Sequence, residues 1–264
     1  MNLGLKDKTA IVLASSKGLG KASAISLFQE GVNVVISGRD EVELKKVVKE
    51  FGKKEKGKLF PIVCDVTKIK DIENLVKKTI KEFGRIDILV NNAGGPTPGT
   101  FEMTIDENWQ KAFDLNLMSA VRTIRLVLPY MQKQKAGRII NMVSLSAKQP
   151  IPNLILSNSV RAGVIGMAKT LSAEIAEFNI TVNNILTGNF LTERLKQLHN
   201  IDEKIKEGLT EKEAWKDVVD KIPMKRLGKP EEFGALVTFL ASEQASYITG
   251  TSIQIDGGLS KFIL

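Results

Sequence analysis

The sequence predicts an α/β fold: one doubly wound, parallel, seven-stranded sheet in a single domain, with helices covering both faces. Three observations carry this. Short runs of Val, Ile and Leu recur at a regular pace along the 264 residues. The stretches between them place apolar residues three and four apart, the period of a helix packed on one side. The first run is followed at once by a turn holding Gly18 and Gly20 and then by a helical pattern, which is the order of a βαβ unit.

Strand-like runs fall at 9–14, 33–37, 59–63, 86–91, 138–144, 181–185 and 252–255. They are nearly continuous in apolar residues rather than alternating, as strands buried on both faces are. Helical patterns occupy 19–30, 41–51, 69–83, 106–134, 154–177 and 230–241. No Pro/Gly/Ser-rich linker and no repeat divides the chain, so 1–264 reads as one domain. The one interruption is 190–224, rich in charge but with Leu191, Leu195, Leu198, Ile201 and Ile205 at helical spacing. It predicts an amphipathic pair of helices over the sheet's edge, a lid inserted within the domain.

Composition narrows the function classes. Hydrophobic residues make up 43% and charged residues 26%, ordinary for a globular protein. The longest apolar runs are far shorter than the roughly 20 residues that cross a bilayer, and the N-terminus has no signal-like apolar region. No membrane partner and a cytoplasmic location are therefore expected. The formal charge of +8 comes from lysines spread through helical patterns, not gathered into an arm with interleaved aromatics. That is a solvated surface, with no nucleic-acid partner expected. The single cysteine, Cys64, follows Val63 in a strand-like run and reads as a small buried thiol. With one cysteine and one histidine, His199, no metal site is expected. His199 reads as a solvated side chain of the lid.

The segment Ser15-Ser16-Lys17-Gly18-Leu19-Gly20 joins the first strand to the first helix. Glycines there let backbone N–H groups approach a pyrophosphate at a helix N-terminus, where a Cβ would intrude. Further along come Cys64-Asp65-Val66, Asn91-Asn92-Ala93-Gly94, Asp114-Leu115-Asn116 and Asp256-Gly257-Gly258. In this order and spacing the chain resembles the short-chain dehydrogenase/reductase family, and by overall pattern its 3-oxoacyl-carrier-protein-reductase-like branch. The family's turn reads T-G-x-x-x-G-x-G; this chain keeps Gly18 and Gly20 and has Ala14-Ser15 where Thr-Gly is usual.

The resemblance implies a Rossmann-type domain holding a nicotinamide dinucleotide. Asp65 and Val66 would meet the adenine, and Asn92, Ala93 and Gly94 would pack beside the cofactor. Gly188 would allow close approach to the nicotinamide, and Thr192 would meet its carboxamide. The end of the second strand decides between dinucleotides, because an acid there binds a ribose 2′-hydroxyl and a cation binds a 2′-phosphate. Gly38-Arg39, with Lys17 in the turn, points to NADP(H) over NAD(H); Asp40 is the counter-indication.

The family's catalytic set is Asn, Ser, Tyr and Lys, the last two spaced Y-x-x-x-K. Asn116 and Ser144 match, but Ser157-Asn158-Ser159-Val160-Arg161 stands where Y-x-x-x-K belongs. A phenol of pKa about 10 beside an ammonium can exchange a proton near neutrality; a serine hydroxyl is far less acidic, and arginine does not shuttle protons. The only tyrosines, Tyr130 and Tyr247, lack the cation four residues on and read as packing residues with bonded hydroxyls.

The resemblance thus implies an NADP(H)-dependent oxidoreductase moving hydride between the nicotinamide and a small-molecule carbonyl or secondary alcohol. A water held by Ser144, Ser157 and Arg161 would supply the proton, with Arg161 also reaching the nicotinamide ribose. The alternative is a dinucleotide-binding sensor or partner subunit that has lost its chemistry. Family members commonly pair the helices matched here by 106–134 and 154–177, implying a homotetramer or homodimer. The apolar tail Phe262-Ile263-Leu264 suits burial against a neighbour or its own subunit. Substrate choice would rest with the lid and the 149–156 loop, stiffened by Pro150 and Pro152.

Overall fold

A computed structural model describes residues 2–51 and 57–263. Within it β1 (Thr9–Val12), β2 (Asn33–Gly38), β3 (Leu59–Val63), β4 (Ile88–Asn91), β5 (Gly137–Ser144), β6 (Ile180–Thr187) and β7 (Ser252–Ile255) form one sheet. Its order is β3-β2-β1-β4-β5-β6-β7, and every pairing is parallel. This is the Rossmann-type doubly wound sheet the sequence predicts, with its chain reversal between β1 and β4.

Successive β1 residues explain the unbroken apolar runs. Ala10 and Val12 join one core with Leu27, Phe28, Phe233 and Val237. Ile11 and Leu13 join the opposite core with Ile72, Leu75, Val127 and Ile139. Because side chains alternate and both faces are covered, apolar residues prevail on both faces of the strand. The helices on these faces are α1 (Gly18–Gln29), α2 (Glu41–Phe51), α3 (Ile69–Phe83), α4 (Asp106–Phe113), α5 (Ser119–Gln134), α6 (Ile155–Glu174) and α10 (Pro230–Ala241). Among the described residues no helix is long and apolar enough to cross a membrane.

Three expectations need correction. The helix expected over 106–134 is interrupted by a π-helical turn at Asp114–Met118, a local widening of the backbone that periodicity does not register. The 190–224 segment holds three short helices, not two: α7 (Glu193–Leu198), α8 (Ile201–Lys206) and α9 (Glu211–Val219). Asn200 at φ 51° and Gly208 at φ 103° divide them. Their apolar faces meet one another through Leu195, Ile201, Ala214, Trp215 and Val218, whereas Leu191, Leu198 and Ile205 are exposed. Third, Tyr247 is fully exposed and so is not a packing residue within the subunit, whereas Tyr130 is 38% exposed and packs in part.

Of the tail, Phe262 packs on the Val143–Leu145–Leu186 cluster beneath Lys148, Ile263 is exposed, and Leu264 lies outside the described residues.

Candidate functional site

The site assembles at the carboxyl ends of the strands, beside the chain reversal. In the glycine turn the first helical bond runs from the Lys21 amide to the Lys17 carbonyl at 3.2 Å. The amides of Gly18, Leu19 and Gly20 therefore lead the helix without intrahelical partners. Lys17 is extended and exposed at the N-cap. A Cβ on Gly20 would lie 2.5 Å from the Ala14 carbonyl oxygen and 2.7 Å from Asn92 Nδ2, so only glycine fits. Asn92 Nδ2 donates to the carbonyls of Leu13 and Ala14, at 3.2 and 3.0 Å, and so ties the end of β4 to the turn.

The turn corrects one reading of the motif. Counting back from Gly18 and Gly20, the family's Thr-Gly falls on Leu13-Ala14, one residue earlier than Ala14-Ser15. Ala14 itself holds φ 46°, the left-handed conformation glycine would adopt without strain. Ser15 is wholly buried: its hydroxyl donates to the Val12 carbonyl at 2.7 Å and accepts the Ser37 amide at 2.9 Å. Its side chain braces β1 to β2 and does not face the cleft. Ser16 packs against Gly38, where a Cβ would come within 3.2 Å of its Oγ.

Arg39 is exposed just beyond β2. Asp40 faces the other way, its Oδ1 accepting the amides of Val42 and Glu43 at 2.9 and 3.2 Å and capping α2. Beyond β3, Asp65 accepts the Thr67 amide and hydroxyl. Burial works to raise its carboxyl, but the Thr67 bonds and the charge of Arg39 outweigh that and hold it below the usual range. Val66 is buried beside it.

A ladder of amides then crosses four strands. Asn91 Nδ2 donates to Asn141 Oδ1 at 2.8 Å, Asn141 Nδ2 to Asn184 Oδ1 at 2.9 Å, and Asn184 Nδ2 to Ser252 Oγ at 3.1 Å. All three asparagines are buried, and they are direct neighbours in strand register. Asn116, in the π turn, donates Nδ2 to the Gly94 carbonyl at 2.8 Å. Arg122 holds that turn through Asp114 at 2.8 Å.

Asn91, Ala93, Asn116, Asn141, Met142 and Arg161 line a small cavity of about 10 Å3. Three buried polar atoms have no partner there: Asn91 Oδ1, Asn116 Oδ1 and Arg161 Nε. Arg161 donates Nη1 to the Met142 carbonyl at 3.2 Å. Burial, and then the charge of Arg194, push its guanidinium down to about 10. At neutral pH only about one molecule in a thousand would be deprotonated at such a value, so Arg161 acts as a fixed cation.

Ser144 ends β5 half-buried, its Oγ accepting the Ser146 amide at 3.1 Å. Ser157 is buried on α6 with Oγ 3.0 Å from Ser146 Oγ. Asn116 and Arg161 thus share one cavity, Ser144 ends the strand that supplies Met142 to it, and Ser157 turns inward, onto Ser146. Asn158 pins the adjoining loop by exchanging bonds with the amide and carbonyl of Ile151.

The far rim is the start of the helical segment. Thr192 caps α7 through the Leu195 amide at 3.3 Å and lies against the glycine turn, 3.9 Å from a Cβ built on Gly18. A Cβ on Gly188 would instead strike Asp256 at 2.6 Å, so its need for glycine lies in packing β6 on β7. His199 is not simply solvated: it is half-buried against Trp215, ring centroids 6.4 Å apart.

Sequence reasoning missed Arg194, Asn158 and the amide ladder. The ladder had a signal, an asparagine at the matching place in three successive strands. Arg194 had none, since its target, the Pro96 carbonyl at 3.2 Å, is remote in the chain.

A family profile described as enoyl-(acyl carrier protein) reductase matches residues 13–260. The 3-oxoacyl-(acyl-carrier-protein) reductase FabG of Thermotoga maritima is 36% identical over 255 residues, covering 97% of this chain and 98% of that protein. The NADPH-dependent reductase BacG of Bacillus subtilis is 32% identical over 261 residues, covering 98% of this chain and all of BacG. Among solved structures, L-sorbose reductase of Gluconobacter frateurii, complexed with NADPH and L-sorbose, superposes with a TM-score of 0.95 at 32% identity, with 100% of both chains covered. The chain belongs to the short-chain dehydrogenase/reductase family.

Proposed function

We propose that the protein is an NADP(H)-dependent oxidoreductase that interconverts a carbonyl and a secondary alcohol. The observation that carries this is the convergence, at the carboxyl ends of the central strands, of a phosphate cradle with a polar pocket. The unpartnered amides of Gly18 to Gly20 would take the pyrophosphate. Arg39 and Lys17 would take the 2′-phosphate, with Asp40 spent on α2. The NADPH dependence of BacG and the NADPH complex of L-sorbose reductase support the same choice.

A bound reduced nicotinamide supplies the hydride for the carbonyl carbon. The chain's part is to hold the oxygen and deliver a proton to it. Ser144 Oγ already accepts the Ser146 amide, leaving its hydrogen to donate to the substrate oxygen. Arg161, a cation at the same rim, stabilises the negative charge that grows there. A water in the adjoining cavity, accepting from Arg161 Nε and donating to Asn91 Oδ1 and Asn116 Oδ1, satisfies all three orphaned atoms; its volume is near the minimum for one water. Water reaching this rim provides the proton that the family's phenol would otherwise give. The helices α7 to α9 act as the lid, with Thr192 at its hinge end toward the carboxamide.

One observation favours a second reading. Ser157 faces Ser146 rather than the cleft, leaving no side-chain acid in the tyrosine's place, as suits a dinucleotide-binding sensor or partner subunit. Direct titration with NADPH and NADH, run beside NADPH consumption on ketones, sugars and acyl thioesters, decides. NADPH binding with turnover of any carbonyl supports the oxidoreductase; tight binding with none supports the sensor.

The same proposal includes a homodimer or homotetramer. An apolar groove of about 510 Å3 lies between α5 and α6, lined by Val121, Ile124, Leu128, Met167 and Leu171. Light scattering on the purified protein tests it.

A further inference from the structure

Arg161 shares a cavity with Asn91, Asn92 and Ala93 at the end of β4, and Arg194 reaches the loop that follows them. Arg161 rises from α6 with its buried Nε unpartnered. Arg194, in the first turn of α7, donates Nη2 to the Pro96 carbonyl at 3.2 Å and covers Gly95, where a Cβ would sit 3.3 Å from that nitrogen. Asn116 lines the Arg161 pocket and binds the Gly94 carbonyl. Gly94-Gly95 thus links the wall of the Arg161 cavity to the backbone that Arg194 covers.

No acid answers them. Among the described residues the paired arginines are Arg85 with Asp87, Arg122 with Asp114 and Arg226 with Glu232. The acid next to Arg194, Glu193, pairs with Lys196 instead. Arg161 feels Arg194 strongly enough for its pKa to fall further than burial alone would take it. Arg194 is exposed, so water screens part of this repulsion, and an anion that joins the two cations relieves the rest. On the reading above, the dinucleotide's phosphates go to the glycine turn, Lys17 and Arg39.

We propose that the substrate is an anion, a small oxo acid or hydroxy acid whose carboxylate is held by Arg194 on the lid and shared with Arg161. The planar fork of a guanidinium matches a carboxylate. Because Arg194 belongs to α7, the anion would also draw the lid onto the cleft, placing the carbonyl near Ser144. This rests on the oxidoreductase reading above.

The test compares 2-oxobutanoate, 3-oxobutanoate and 4-oxopentanoate with their methyl esters, as substrates and as ligands of the NADPH-loaded protein measured by calorimetry. The expected result is a preference for at least one acid over its ester of about ten-fold or more in kcat/KM, as a charge-assisted bond supplies. Arg194→Gln should collapse that preference and Arg194→Lys should keep part of it. Equal handling of acids and esters overturns the proposal. So does a weakened NADPH Kd in Arg194→Gln with acid and ester falling in step, which would assign Arg194 to the cofactor. If no carbonyl turns over, calorimetry still decides: acid binding without ester binding supports the anion site, and no acid binding refutes it.

Discussion

Asp40 Oδ1 accepts the amides of Val42 and Glu43 at 2.9 and 3.2 Å, so the acid that follows Arg39 caps α2 instead of facing a ribose. Cofactor preference should therefore depend on Arg39. Arg39→Gln is expected to weaken NADPH binding about 10- to 100-fold, the worth of one charge-assisted contact, and NADH binding much less. Asp40→Ala should cost about 1 kcal/mol of stability as a lost cap, without shifting preference toward NADPH or NADH. Fluorescence titration and chemical denaturation read the two effects separately.

Ser157 and Arg161 should part company in kinetics. Ser157 Oγ bonds Ser146 inside the protein, so Ser157→Ala should lose about 1 kcal/mol of stability and less than about ten-fold in kcat. Arg161→Met removes the rim's cation and should cost about 100-fold or more in kcat, as removal of an oxyanion-stabilising donor does. Steady-state NADPH oxidation with a responsive carbonyl checks both. Equal losses would place Ser157 in the chemistry.

Asn141 holds the middle of the amide ladder, bonded to Asn91 and Asn184. Asn141→Leu leaves a buried donor on one side and a buried acceptor on the other, at about 1–3 kcal/mol each. The expected loss is about 3 kcal/mol, or roughly 6–12 °C in Tm for a chain of this size. Differential scanning calorimetry measures it; a change below about 1 kcal/mol would show the ladder to be energetically idle.

His199 predicts an acid sensitivity of the lid. Burial, followed by Lys204 and Lys221, lowers its pKa from the ordinary 6.5. The unfolded chain thus binds the proton more readily, and stability falls as pH drops below about 6.5 toward the folded value. His199→Gln lacks this linkage. Its Tm should fall less than that of the unmodified protein between about pH 7.5 and 5.5; identical slopes would contradict the assignment.

Cys64 is 2% exposed, and burial, with Asp71 and Asp65 adding to it, pushes its thiol up to about 12. The thiolate is the reactive form. A disulfide reagent at about pH 8 should label the folded protein only as fast as it opens, and label it at once in denaturant.

Local pattern carried much of this legibly. Apolar runs located all seven strands, because most positions in strands buried on both faces are apolar, the asparagines of the amide ladder being exceptions, and Gly18 and Gly20 located the turn into α1. What periodicity could not register was backbone that departs from it: the π turn at Asp114–Met118, the breaks at Asn200 and Gly208, and the left-handed Ala14. Motif matching named Asn92, Ser144 and Ser157 but not which way they face.

The sequence by itself determined the doubly wound sheet, the glycine turn and the absence of a tyrosine four residues before Arg161. Those are properties of neighbours in the chain, where composition and spacing suffice. Tertiary structure alone decided that Asp40 is a helix cap, that Ser157 answers to Ser146, and that Arg194 crosses to Pro96. Side-chain partners are chosen by distances that folding creates between remote residues, and a buried donor or acceptor takes whichever partner the packing brings within reach.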